Sequence, residues 1–160
     1  MNREEILSEI WNVQDESFDL MVEYDALPHH YGDVILYQAE AYIVNCIGAY
    51  PNITTTGLAE ALNKTASACS QVVRKLIDKG FVIQERNNSN KRVYNLTLTE
   101  QGQRLYLDHI EFNKNCQKIT FDMLSDFTNT ELEIYLSIQK RINEAYRGDI
   151  KRSREKYSKE

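Results

Sequence analysis

The sequence predicts a mainly α-helical fold with one small β-hairpin, and three observations carry that prediction. Apolar residues recur at helical spacing in six segments. Two prolines and six glycines in 160 residues are few for a chain built of many short strands. Only one stretch, 81–97, reads as two strands flanking a polar loop. With 42% apolar residues the chain has material for a sizeable core, so disorder is excluded over most of its length.

The first helix is expected over 2–24, through Ile6, Ile10, Val13, Phe18, Met21 and Val22. Pro28 and Gly32 bracket a loop holding His29 and His30. A second helix is expected from Val34 to Ala49 on the row Leu36, Ile43 and Ile47, closed by Pro51. Thr54 reads as the N-cap of a short helix over 55–62, and Asn63-Lys64 as a turn. Thr65 then caps a helix over 66–79 whose buried side carries Cys69, Val72, Val73 and Leu76. Gly80 stands where a left-handed stop is wanted. Two short helices joined by a tight turn are a helix-turn-helix. Strands over 81–86 and 93–97 with the basic tip Asn87–Arg92 add a wing.

Thr99 caps a long helix with the seam Leu105, His109, Phe112, Cys116, Ile119 and Met123, alternating steps of four and three. Continuous from Glu100 to about Ser125, it would span about 40 Å, more than a winged domain alone requires. Thr130-Glu131-Leu132-Glu133 reads as a capping box opening a last helix through Leu132, Leu136, Ile142 and Tyr146. The expected organisation is one domain over 1–148, with the winged helix-turn-helix at about 34–98. Helices at about 2–24 and 100–147 flank it, and 149–160 is expected as a basic flexible tail.

Net charge is −5, which on its face argues against nucleic acid. The charge is unevenly placed. Residues 1–63 hold one Lys or Arg against eleven Asp and Glu, whereas residues 64–104 hold eight against three. Residues 105–160 hold ten of each. Phosphate binding depends on the local patch, and the basic segment coincides with the helix-turn-helix and wing.

Other classes are excluded by what the sequence lacks. Three widely spaced cysteines, Cys46, Cys69 and Cys116, form no disulfide framework or zinc knuckle. No stretch reaches the roughly 18 apolar residues of a membrane span, and no cationic segment leads into an apolar one near Met1, so a cytoplasmic protein without a membrane partner is expected. There is no glycine-rich phosphate loop, nucleophile elbow or paired-histidine motif, so no enzyme and no cofactor is expected. His29, His30, Glu40 and His109 are metal-ligating types, but no two share an i,i+3 or i,i+4 spacing, so no metal site is expected.

The run Ile53–Glu60, then Thr65–Leu76, then Lys79-Gly80-Phe81-Val82, resembles the MarR family of bacterial regulators. The likeness continues through Asn90-Lys91-Arg92 and Leu96–Gly102, and its specific part covers about residues 50–104. The resemblance implies a homodimer whose terminal helices interdigitate into a shared lobe. It also implies a pair of winged domains on a pseudo-palindromic operator, and a repressor released by a small effector. One departure is Asn90, where the family usually carries Asp two residues before the wing arginine. Asn can still accept a hydrogen bond but loses the charge-assisted clamp on the guanidinium.

The roles follow from chemistry and position. Ser67, Ser70, Gln71 and Arg74 lie opposite the buried side of the 66–79 helix; Gln71 suits adenine and Arg74 guanine. Arg92, with Lys91, suits a narrow minor groove. Thr54, Thr55 and Lys64 are placed for phosphates, and Lys75 adds to the basic patch. For an aromatic or amphipathic effector, the candidates are Tyr24, His30, Tyr31, Tyr37 and His109, around the first loop and the long helix. Core packing accounts for the same residues. The competing function is a winged-helix protein–protein module without specific DNA binding, against which the cations of the basic segment count.

Overall fold

The computed structural model describes residues 1–87, 90 and 93–157. Its elements run α1 (Arg3–Ala26), β1 (Pro28–Tyr31), β2 (Val34–Tyr37), α2 (Gln38–Ala49), β3 (Ile53–Thr54), α3 (Thr55–Ala61), α4 (Ala66–Asp78), β4 (Val82–Arg86), β5 (Tyr94–Leu98), α5 (Glu100–Met123) and α6 (Asn129–Tyr157). They divide into two compact units, Met1–Lys114 and Asn115–Glu160, with the unit boundary falling inside α5.

In the first unit, side-chain oxygens at the helix starts take up backbone N–H groups that have no partner within the helix. Asn2 and Glu5 form a reciprocal capping box on α1. Thr54 Oγ1 accepts from Gly57 N–H at 3.0 Å and Thr65 Oγ1 from Ala68 N–H at 3.2 Å. Both caps stand where the sequence places them. Asn63, φ +50°, makes the left-handed turn between α3 and α4, and Gly80, φ +78°, ends α4 in the same region. The core beneath these helices holds Leu36, Val44, Ile47, Leu58, Leu76, Leu96 and Leu105, all buried.

The sheet at the base of the wing has the order β3-β5-β4, antiparallel throughout. Ile53 pairs with Leu96, and Val82 with Leu98. Thr99 joins this sheet to α5: its N–H donates to the Phe81 carbonyl, its hydroxyl donates to the Gly80 carbonyl, and its Oγ1 accepts from Gly102 N–H. Gly102 is buried there, and a Cβ built on it would lie 2.0 Å from the Phe81 carbonyl oxygen. No side chain fits between the two backbones.

Four expectations are corrected. The 28–33 loop and the first turn of the expected second helix are instead a hairpin, with Pro28 opposite Tyr37 and Tyr31 opposite Val34. Gly32 and Asp33 connect the strands, and a positive φ at Gly32 alone fits a type II′ turn. A short β3 precedes α3 where no strand was expected. The last helix is capped by Thr128 rather than Thr130: Glu131 Oε2 accepts from Thr128 N–H at 2.8 Å and from its hydroxyl, and Thr128 Oγ1 accepts from Glu131 N–H. Finally, residues 149–157 are helical rather than a flexible tail, because α6 runs on through Tyr157. Lys and Arg are good helix formers, and Lys151–Glu155 adds an i,i+4 pair.

α6 buries no residue and presents Ile134, Tyr135, Leu136 and Ile138. α1 likewise buries none and presents Leu7, Trp11, Phe18 and Met21. The α5 seam is buried at Leu105 and His109, half-buried at Phe112 and Cys116, and bare at Ile119 and Met123. No helix among the described residues is long and apolar enough to cross a membrane.

Candidate nucleic-acid interface

Helix α4 is strongly two-faced. Cys69, Val73 and Leu76 are buried and Val72 half-buried, while Ser67, Ser70, Gln71, Arg74 and Lys75 are exposed. The four residues expected to meet bases therefore share one open face at 3.6-residue periodicity. Neither Arg74 nor Lys75 joins any ion pair given by the described residues, so both cations are available to an anion. Ser70 is more constrained than its sequence position suggests. Its hydroxyl donates to the Ala66 carbonyl at 2.7 Å, which leaves the oxygen to act as an acceptor.

Thr54 and Thr55 are half-buried at the start of α3, and Thr54 Oγ1 is occupied as a helix cap. Lys64 is exposed in the turn before α4. At the wing, the Asn90 N–H donates to Asn87 Oδ1 at 3.0 Å, and its carbonyl accepts from Val93 N–H. Arg86 lies 6.0 Å from the Tyr94 ring, a cation–π contact bracing the hairpin. Lys91 and Arg92, and with them the expected minor-groove contact, lie outside the described residues.

The orientation of α4 is held by a pair that sequence reasoning missed. Lys79 Nζ meets Glu40 Oε1 at 2.6 Å, and the other Glu40 oxygen accepts from the Tyr37 N–H that opens α2. The carboxylate is buried and links two helices 39 positions apart in sequence. Such a pairing leaves no local periodicity to read.

The five effector candidates occupy different surroundings. The alternation of β1 sends His29 and Tyr31 inward and His30 outward. Tyr31 is fully buried, with its hydroxyl donating to Gln38 Oε1 at 2.7 Å. Its ring lies 5.2 Å from that of His109 and 4.9 Å from Phe112. Tyr24 stacks on His29 at 4.2 Å, and the His29 Nε2–H donates to the Tyr24 carbonyl. Tyr24 is joined to Tyr31 through His29, and Tyr31 in turn meets His109, whereas His30 and Tyr37 face outward. Burial holds the His109 imidazole below its ordinary value of 6.5, favouring the neutral ring. Burial likewise raises the Cys46 and Cys69 thiols, which disfavours the reactive thiolate. Among the described residues, no three His, Cys, Asp or Glu side chains converge as metal ligands.

A helix-turn-helix with an open polar second helix, backed by a three-stranded sheet that carries a hairpin wing, defines a winged helix-turn-helix fold. Residues 36–94 match the model of the MarR family. A curated relative in Bacillus subtilis strain 168, the uncharacterized HTH-type transcriptional regulator YvnA, is 23% identical over 94 residues. That match takes in 59% of this chain and 60% of the relative, so the chain spans less than two thirds of YvnA's length.

Solved structures share the fold over most of both chains. The zinc-responsive MarR family member ZitR of Lactococcus lactis superposes with a TM-score of 0.75 at 16% identity, covering 88% of this chain and 99% of ZitR. FabT of Streptococcus pneumoniae, solved in complex with DNA, gives 0.65 at 16% identity, covering 91% and 98%.

Proposed function

We propose that the protein is a cytoplasmic, sequence-specific DNA-binding transcriptional regulator that acts as a homodimeric repressor on a pseudo-palindromic operator and is released by a small effector. The observation that carries this is the face of α4. Ser67, Ser70, Gln71 and Arg74 stand open together on a helix whose opposite face is the core, inside the one basic segment of an acidic chain. Side chains of this kind read base edges in the major groove, while Lys64 and Lys75 supply phosphate contacts. The FabT structure, a DNA complex of the same fold, supports this use of the domain.

The homodimer is supported by the bare apolar rows. Trp11 and Phe18 of α1 are 59% and 67% exposed, and Leu136 of α6 is 52% exposed. Rows of this length on terminal helices are interface material. The structure of Streptomyces coelicolor PcaV in complex with its natural ligand supports release by an effector. Here Tyr24, Tyr31 and His109, with His30 and Tyr37 nearby in sequence, remain one candidate effector region.

The test is a binding assay on the DNA upstream of the protein's own gene, in the presence of heparin and at physiological salt. A retained, heparin-resistant complex is expected. Equal affinity for that fragment and for random duplexes would overturn sequence-specific regulation and favour a protein–protein module.

A further inference from the structure

The exposed face of α4 offers side chains of opposite hydrogen-bonding character. Ser70 is exposed, and its hydroxyl hydrogen is spent within the helix, on the Ala66 carbonyl at 2.7 Å. A serine hydroxyl has a single hydrogen and two lone pairs, so what Ser70 shows outward is an acceptor alone. Arg74, one turn further on and also exposed, has donors and no acceptor. Ser67 makes no such internal bond among the described residues, so its hydroxyl can present either its hydrogen or its lone pairs. Gln71 carries a donor and an acceptor together. Ser70 is thus the member of the set whose polarity is fixed by the fold rather than by residue type.

The four bases divide on the same property in the major groove. Adenine N6 and cytosine N4 are amino groups that donate, whereas guanine O6 and thymine O4 only accept. An outward lone pair facing a guanine or thymine oxygen meets a second lone pair. No rotation of the hydroxyl relieves that without giving up the bond to Ala66.

We propose that Ser70 is a specificity-determining residue: at one base pair of each half-site it selects an amino-bearing base, adenine or cytosine, over guanine or thymine. This rests on the proposed function and adds to it the class of base that the residue accepts. The resulting pattern is diagnostic. Exchanging A·T for C·G is tolerated at that pair, and inverting A·T to T·A is not. A side chain reading the minor groove behaves the other way, because A·T and T·A look alike there.

The test begins with a selection from randomised duplexes on the full-length protein and on its Ser70→Ala and Ser70→Thr variants. Ser70 is exposed, so neither substitution disturbs the core. Thr keeps the hydroxyl and its bond to the carbonyl four residues back; Ala keeps neither. The wild type is expected to yield a motif with one position per half-site enriched in A and C alike. Ser70→Ala should open that position to all four bases, and Ser70→Thr should preserve it. On the selected duplex, adenine at that position is then replaced by purine, which lacks only the N6 amino group. Wild type and Ser70→Thr should lose about fivefold in affinity, and Ser70→Ala should lose nothing. A merely structural role for Ser70 would weaken every duplex by one factor and leave the base preference unmoved. That result overturns the assignment, as do equal losses on purine in wild type and Ser70→Ala, or a Ser70→Thr variant as relaxed as Ser70→Ala. In each of these cases a wild-type motif leaves the regulator standing. No wild-type motif at all overturns sequence-specific reading and the assignment with it.

Discussion

Glu40 and Lys79 form a part-buried bridge between α2 and the end of α4, at 2.6 Å, with the carboxylate side chain 10% and the ammonium side chain 42% exposed. The asymmetry in burial decides which partner matters. Removing Lys79 strands a desolvated carboxylate, whereas neutralising Glu40 lets the lysine swing into water. Lys79→Met should therefore cost about 2–3 kcal/mol and Glu40→Gln about 1 kcal/mol in urea denaturation. The double variant should be less destabilised than the sum of the two. Equal single costs that simply add would show the pair to be uncoupled.

Gly102→Ala should destabilise by about 3 kcal/mol, because its methyl would occupy space 2.0 Å from a backbone oxygen that cannot rotate away. Gly148→Ala is the contrasting case. The nearest atom to its Cβ is Arg152 Nη1, the end of an exposed chain, so α6 should gain about 0.5–1 kcal/mol. Thermal melts of the two variants should move in opposite directions.

His109 makes stability depend on pH in one direction. The folded state disfavours the imidazolium and the unfolded chain does not, so below about pH 6.5 the unfolded state binds more protons. Stability is full above that value and falls as pH drops through it towards the lower folded pKa. His109→Phe, in a site already lined by Tyr31 and Phe112, should flatten the loss between pH 6.5 and 5. An unchanged slope in urea midpoints would assign the acid sensitivity to other groups.

On DNA, Gln71→Ala should change base preference by about 1–3 kcal/mol at one position of the site. Lys75→Ala should weaken all sequences alike and reduce the salt slope by about one unit. A selection from randomised duplexes, with titrations at several salt concentrations, separates the two. Identical profiles would remove Gln71 from the base-reading set.

Sedimentation equilibrium should return about twice the 18.7 kDa chain mass at micromolar concentration. Trp11→Asp together with Leu136→Asp should return the monomer with its helix content retained. A wild-type mass near that of one chain would refute the dimer.

Elements whose signals are local were legible in the sequence. Thr54, Thr65, Asn63 and Gly80 mark the helix-turn-helix because caps and left-handed stops depend on single residues. The β1–β2 hairpin was obscured because Leu36 falls in step with Ile43 and Ile47, so a helical row runs into a strand. The better cue was the turn pair Gly32-Asp33 set just before the β-rich run Val34–Tyr37. At the start of α6, Thr128–Glu131 and Thr130–Glu133 both have capping-box spacing, and pattern alone does not rank them. The boundary expected at 148 falls inside α6, which runs on through Gly148. The open face of α4 was legible for the same reason as its buried face, since one period fixes both. The Glu40–Lys79 bridge and the β3–β5 pairing join distant residues and leave no mark in any short window.

The contact at Gly102 has a mechanical consequence. Where two backbones touch without an intervening side chain, there is no rotamer to absorb a displacement, and close-packed protein compresses little. The first turn of α5, the Phe81 carbonyl and the Gly80 stop of α4 are further riveted by hydrogen bonds of Thr99. A twist imposed on that turn of α5 arrives at the foot of the wing undiminished, as through a welded joint rather than a sprung one.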